Sequence, residues 1–195
     1  NLNLVVAGDG DNLVGVAGGT NLLVGGKGND TMFAAGNTNV MFAGAGNNNL
    51  FGVGNSNVML ASEGNDLMVG VGQNNVMVAG GGNNTLLASG GNNIMSATSG
   101  NDVMVAVGRN NIELAGAGND TMVGVGQNNI MAGGDGNDLM LAAGKTNVML
   151  GGDGNNTIVA VGQNNIVAAG SGNDIIGAAG KNNIVFAGDG NNIVA

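Results

Sequence analysis

Apolar and polar positions alternate along this chain with a short, unvarying rhythm. From Gly134 it reads GDGNDLMLA, AGKTNVMLG, GDGNNTIVA, VGQNNIVAA, GSGNDIIGA and AGKNNIVFA, and the same nine-residue register runs back to Gly8 without an insertion. Each repeat places about three residues rich in Val, Ile, Leu, Met and Phe between loops of Gly and Asn. That is strand composition, and the apolar runs are too short for helices.

Alternate repeats differ, so the true unit is eighteen residues. In one loop kind a Gly stands two before the second residue of each Asn/Asp pair, from Gly10 and Gly28 through to Gly172 and Gly190. In the other it moves one place earlier, from Gly18 and Gly36 to Gly162 and Gly180. A glycine kept at every turn marks a backbone with positive φ, or one with no room for a Cβ; its shift predicts that the two loops turn differently. The pattern predicts an all-β parallel β-solenoid of eighteen residues per coil, with two parallel sheets. About eleven coils rising about 4.8 Å each would make a rod roughly 50 Å long. Residues 1–195 form one array with no internal linker. Starting and stopping inside a repeat without polar caps, the array is expected to belong to a longer one or to stack end to end.

All 11 Met residues occupy the middle slot of the apolar triplet. This slot is never small, as befits a core column filled by a flexible side chain. If it faces inward, both flanking slots face out. These hold Val40, Val58, Val76, Ile94, Ile112, Ile130, Val148, Ile166 and Ile184 on one sheet, with Phe33, Phe42, Phe51 and Phe186 in the other outward slot. One such face presents on the order of 500 Å², near the upper limit for a monomer, so a second rod is the expected cover. The competing arrangement is a wider coil with these rows inside and Met outside. Glu113 interrupts the Met column. A buried, unpaired carboxylate is costly, so either the slot is locally open, or Arg109 reaches it, or the inward assignment fails.

Composition narrows function sharply. The chain has 41 Gly and no Pro, Cys, His, Trp or Tyr, which removes His and Cys nucleophiles, imidazole and thiolate ligands and Trp or Tyr stacking platforms. With net charge −9 and only Lys27, Arg109, Lys145 and Lys181 as cations, neither nucleic acid nor an anionic membrane is an expected partner. No apolar run is long enough for a membrane span, and nothing suggests an enzyme.

The repeat GxGNDxMxx resembles the repeats-in-toxin (RTX) nonapeptide, G-G-x-G-x-D-x-U-x with U large and apolar, over essentially the whole chain. The resemblance implies a calcium-bound parallel β-roll, an inward U residue, and export by type I secretion into external calcium. It places the Asp slot on Asp30, Asp66, Asp102, Asp120, Asp138 and Asp174, and the U slot on residues such as Met32, Met68, Met104, Met122 and Met140. The departures are systematic. In the first loop kind the Asp slot is Asn at positions 12, 48, 84, 156 and 192; in the second it is always Asn, from Asn3 and Asn21 to Asn183.

Calcium is therefore expected on one loop edge only, at partial occupancy. Asp102, Asp120 and Asp138 lie on three consecutive coils and would frame two neighbouring inter-coil sites, since hard cations take several oxygens. The plainer reading of these Asp residues is as turn formers. The Asn column has another logic: stacked carboxamides donate and accept coil after coil, and can hold the loops without metal. The expected function is a self-associating structural module of an extracellular fibre, matrix or adhesin, with itself and calcium as partners. The alternatives are a calcium-responsive folding module of a type I secreted protein and, with less support, an ice-binding solenoid; Thr31, Thr85, Thr121 and Thr157 form no continuous row.

Overall fold

The computed structural model describes all residues 1–195. The chain winds into a parallel β-solenoid in which every strand pairs with the one eighteen residues away, as in Met32 opposite Val14, Met140 opposite Met122 and Asn147 opposite Asn165. All pairing is parallel and no helix is present. On each coil a front strand such as Thr31–Ala35 leads from the Asp-containing loop to the all-Asn loop, and a back strand such as Asn39–Ala43 returns.

The front and back sheets are continuous with one another and make up a single 14-stranded sheet. Most strands run unbroken through the Asn loop: Thr31–Ala45, Val103–Ala117 and Leu139–Asp153 each contain front strand, Asn turn and back strand. The Asp loops interrupt every coil, and the Asn loop does so at only two, between Val53 and Ser56 and between Ala179 and Asn182. The glycines explain why the two loops differ. Every obligatory glycine of the Asp loop has positive φ, for example Gly28 at 127° and Gly136 at 132°, and none of the Asn loop does. The Asn-loop glycines are there for space: a Cβ on Gly90 would lie 1.5 Å from the Gly72 carbonyl oxygen and one on Gly54 1.7 Å from that of Gly36. The ladder therefore crosses the Asn turn, whereas left-handed residues break it at the Asp turn.

Side chains alternate as the Met column requires. Met32, Ala34, Met41 and Ala43 are buried while Phe33 and Phe42 are exposed, so the arrangement with Met outside is excluded. The pattern repeats along the rod from Leu23 to Ile158, with Met59, Met77, Met104 and Met149 at 0% exposure. The interior is one thin layer of Met alternating with Ala, closed at each edge by buried Asn or Asp. Outside, Ile94, Ile130, Ile166 and Ile184 are exposed on the back, Val53, Val71, Val107, Val125 and Val161 on the front, and Phe33 stacks on Phe51 with centroids 4.9 Å apart.

Glu113 follows none of its expected escapes. It is fully buried, in register with Met95 and Met131, and neither carboxyl oxygen has a well-formed hydrogen bond. Arg109 is exposed on the outside of the Asn turn. Burial raises the Glu113 pKa to about 8, with the nearby Val123 amide offsetting only part of the effect, so the side chain is mainly protonated at neutral pH. Gly124 makes room for it; a Cβ there would meet Glu113 Oε1 at 3.0 Å.

Candidate functional site

The two edges are built from the same idea with different atoms. Along the Asn edge each buried carboxamide donates through Nδ2 to Oδ1 of the next, Asn21 to Asn39, Asn75 to Asn93 and Asn129 to Asn147, all at 2.8 Å. The same Nδ2 reaches a backbone carbonyl of the next coil's turn, such as Val71 from Asn57 at 3.1 Å. The ladder is unbroken from Asn3 to Asn183. An outer ladder runs beside it in the opposite sense, Asn92 to Asn74, Asn110 to Asn92 and Asn128 to Asn110.

On the other edge Asp30, Asp66, Asp102, Asp120, Asp138 and Asp174 form one buried column with Asn48, Asn84 and Asn156 between them. Here the ladder runs between side chain and backbone. Oδ1 of each residue accepts the amide N–H of the residue one coil earlier: Asn84 donates to Asp102 at 2.7 Å, Asp102 to Asp120 at 2.7 Å and Asp120 to Asp138 at 2.9 Å. Asp and Asn do this equally well, which is why they interchange without disturbing the coil.

Their second atoms separate them. Asn12 Nδ2 donates to the Gly8 and Gly10 carbonyls, both at 2.8 Å, and Asn48 and Asn84 bond their loops in the same way. In Asp66, Asp102, Asp120, Asp138 and Asp174 the equivalent atom is Oδ2, which is buried without a partner. It lies in the same place: a Cβ on Gly151 would meet Asn156 Nδ2 at 2.9 Å, and one on Gly133 would meet Asp138 Oδ2 at 2.2 Å. An Asp coil therefore has a carboxylate oxygen, with no proton to give, where an Asn coil has a donor binding loop carbonyls.

That arrangement asks for a positive species. Desolvation raises the pKa of Asp102 and Asp138 to about 6, reinforced in both by the neighbouring charge of Asp120, and burial raises Asp66 and Asp120 as well. A proton answers the demand in acid; at neutral pH a hard cation would answer it, with Oδ2 and loop carbonyls as the available oxygen ligands. The donors are of the right chemistry for calcium. No three acidic side chains converge anywhere in the chain, so backbone carbonyls would have to complete such a shell.

The fold is a parallel β-roll with one oxygen-lined edge. The profile of the RTX calcium-binding nonapeptide repeat matches residues 16–50, 51–86, 69–104, 114–144, 142–176 and 178–195, and the chain belongs to that family. No curated protein and no solved structure matches it.

Sequence reasoning missed two features of the Asp edge. The exposed slot before the buried column is a further ladder, in which Oδ1 of Asn29, Asn47 and Asn65 accepts the N–H of Asn47, Asn65 and Asn83. The signal was present in an almost unbroken run of Asn. The second is the exposed row of Asp9, Glu63, Asp135, Asp153 and Asp189, in a slot too variable to stand out.

Asp120→Asn should weaken calcium binding more than any other single Asp→Asn change, because only Asp120 has carboxylates on both adjacent coils. Since affinity follows the number of charged ligands, the expected loss is about tenfold or more at the Asp102–Asp138 run. A smaller loss is expected for Asp30→Asn, whose Oδ2 already accepts the Gly26 amide at 3.3 Å. Calorimetric titration of the Asp series with calcium measures it, and equal losses from Asp30→Asn and Asp120→Asn would remove the reason for ranking this run first.

Proposed function

We propose that the chain is a non-catalytic structural rod of a secreted protein, a module of an extracellular fibre, matrix or adhesin. It associates with further copies through its sheet faces and carries calcium along the Asp edge alone, at Asp102, Asp120 and Asp138 first and at Asp30, Asp66 and Asp174 beyond them. The observation that carries this reading is the exposure of long apolar rows on both faces of a coil whose core is already closed by Met and Ala. A solvated sheet face is ordinarily polar, and these rows lie outside the core of the single rod. Secretion is the usual condition of proteins with these repeats and supplies the millimolar calcium that a sparse set of carboxylates requires.

A calcium-triggered folding module is the second reading, supported by the orphaned Oδ2 atoms and the family match. The amide ladders favour the first, since they hold both edges in hydrogen bonds that involve no ion.

Placing Lys at Ile130, Val148 and Ile166 together tests the proposal. These three lie on adjacent rungs of the back face, where Ile130 and Ile166 are 45% and 40% exposed. In a single rod the ammonium groups stay hydrated and cost little; between packed faces they would be desolvated without partners. The expected result is an unchanged circular dichroism spectrum with assembly beyond a pair of rods abolished, since the front faces are untouched. Unfolding of the variant, or wild-type rods that are monomeric throughout, would contradict the assignment.

A further inference from the structure

The surface charges are sorted between the two edges. Every exposed acidic side chain, Asp9, Asp11, Glu63, Asp135, Asp153 and Asp189, stands on the Asp edge, with Lys27 as its sole cation. The Asn edge carries Arg109, Lys145 and Lys181 on the outside of its turns, two coils apart, and no acidic residue. The rod thus has a negative and a positive edge separated by two apolar faces.

Sorting of this kind decides how two rods lie face to face. Two copies related by a two-fold axis running along the rod point the same way, and each negative edge falls beside the other's positive edge. A two-fold axis across the rod makes the copies antiparallel and sets negative edge against negative edge. Simple translation of one rod onto the next does the same. Only the first arrangement pairs opposite charges, and like charges brought together carry a cost that opposite ones avoid.

We infer that the front face is a docking surface for a second copy of this chain, lying parallel and in register about a two-fold axis along the rod. This rests on the self-association proposed above and specifies its geometry. Charge positions along the axis agree with it for two of the three Asn-edge cations, Arg109 standing level with Ser99 and Ala117. Lys145 falls close to midway between Asp135 and Asp153 in sequence phase, about half a coil or ~2.4 Å of rise from each, and Lys181 stands in the same relation to Asp189. The front face also holds two shallow depressions three coils apart. Val71, Val107 and Ser89 line one, and Val125, Val161 and Ala143 the other. The two-fold brings the row containing Val103 and Leu139 across from them, with Leu139 of one copy level with Ala143 of the other. An apolar face on the order of 500 Å² buries about 1,000 Å² in a pair, at the lower bound for a specific interface. At that size the edges decide orientation.

The chain has no cysteine, so single introduced thiols report the geometry directly. Lys145→Cys and Asp153→Cys rods are prepared separately, mixed in excess chelator, and treated with a bis-maleimide spanning one sheet-to-sheet distance, about 10 Å. Sedimentation gives the state of association alongside. The expected result is a mixed product, joining position 145 of one variant to position 153 of the other, formed about tenfold or more faster than the product of either variant alone. Association in which one variant cross-links to itself as fast as in the mixture would overturn the parallel two-fold and leave self-association standing. Rods that sediment as monomers would overturn both.

Discussion

Replacing Glu113 by Met should stabilise the rod by about 3–5 kcal/mol at pH 8 and above, by far the largest gain expected from one side chain. The slot lies in the middle of an otherwise apolar column, in register with Met95 and Met131, and the carboxyl has no well-formed hydrogen bond. Its pKa rises from 4.5 to about 8 on folding. A carboxyl whose folded pKa exceeds its unfolded one costs nothing in ionisation below the unfolded value, where both states are protonated, and penalises folding increasingly as pH climbs between the two. The penalty levels off above pH 8, at about 1.4 kcal/mol per unit of difference. Denaturant midpoints for wild type and Glu113→Met, measured from pH 4 to 9 in chelator, should diverge steadily across that window. Glu113→Gln separates charge from packing: its curve should run parallel to that of the Met variant, without the Glu113 contribution to the pH dependence, while keeping part of the deficit at low pH, because the amide is still buried without partners. Parallel curves for wild type and Met variant would mean that the carboxylate finds a charge partner or reaches water.

The same linkage acts on the Asp edge in a lower window. Asp102 and Asp138 titrate at about 6, so without calcium the wild-type rod loses stability as pH rises from about 4 to about 6. Calcium, by stabilising the ionised carboxylates, should abolish that loss.

The period, the coil and the inward Met column were legible in the sequence because each is a one-dimensional pattern. Nine residues fix the phase, and period-two alternation around Met32 or Met41 then assigns both faces. The Asn ladder was legible for the same reason: identical side chains at a spacing of eighteen must stack. The continuity of strands such as Thr31–Ala45 through the Asn turn was not, since a recurring glycine reports either positive φ or lack of space, and only the backbone says that Gly28 is the first case and Gly36 the second. The state of the Asp column was likewise hidden. Sequence places Asp102, Asp120 and Asp138 on consecutive coils; it does not reveal that Oδ1 is taken by a backbone amide and Oδ2 left bare. Glu113 could be flagged as anomalous from its slot, but its lack of a partner depends on Arg109 standing outside the turn.

Hydrogen bonds that need no ion tie each coil of this rod to the next, so on the reading proposed here calcium would have one edge to neutralise and no coil to assemble. Ten Nδ2-to-Oδ1 bonds at 2.8 Å link Asn3 to Asn183, and the Asp column is bonded coil to coil through Oδ1. Each such bond contributes about 0.5–1.5 kcal/mol net, and the sum acts along the whole length. Against it, without calcium at pH 7, stand the ionised carboxylates of one edge, which burial disfavours at Asp66, Asp102, Asp120 and Asp138. Circular dichroism of the purified chain in excess chelator at pH 7 is the direct measurement. The β-sheet spectrum should be retained there and only modestly strengthened by calcium; complete loss of β signal in chelator, recovered on adding calcium, would contradict the amide-held rod.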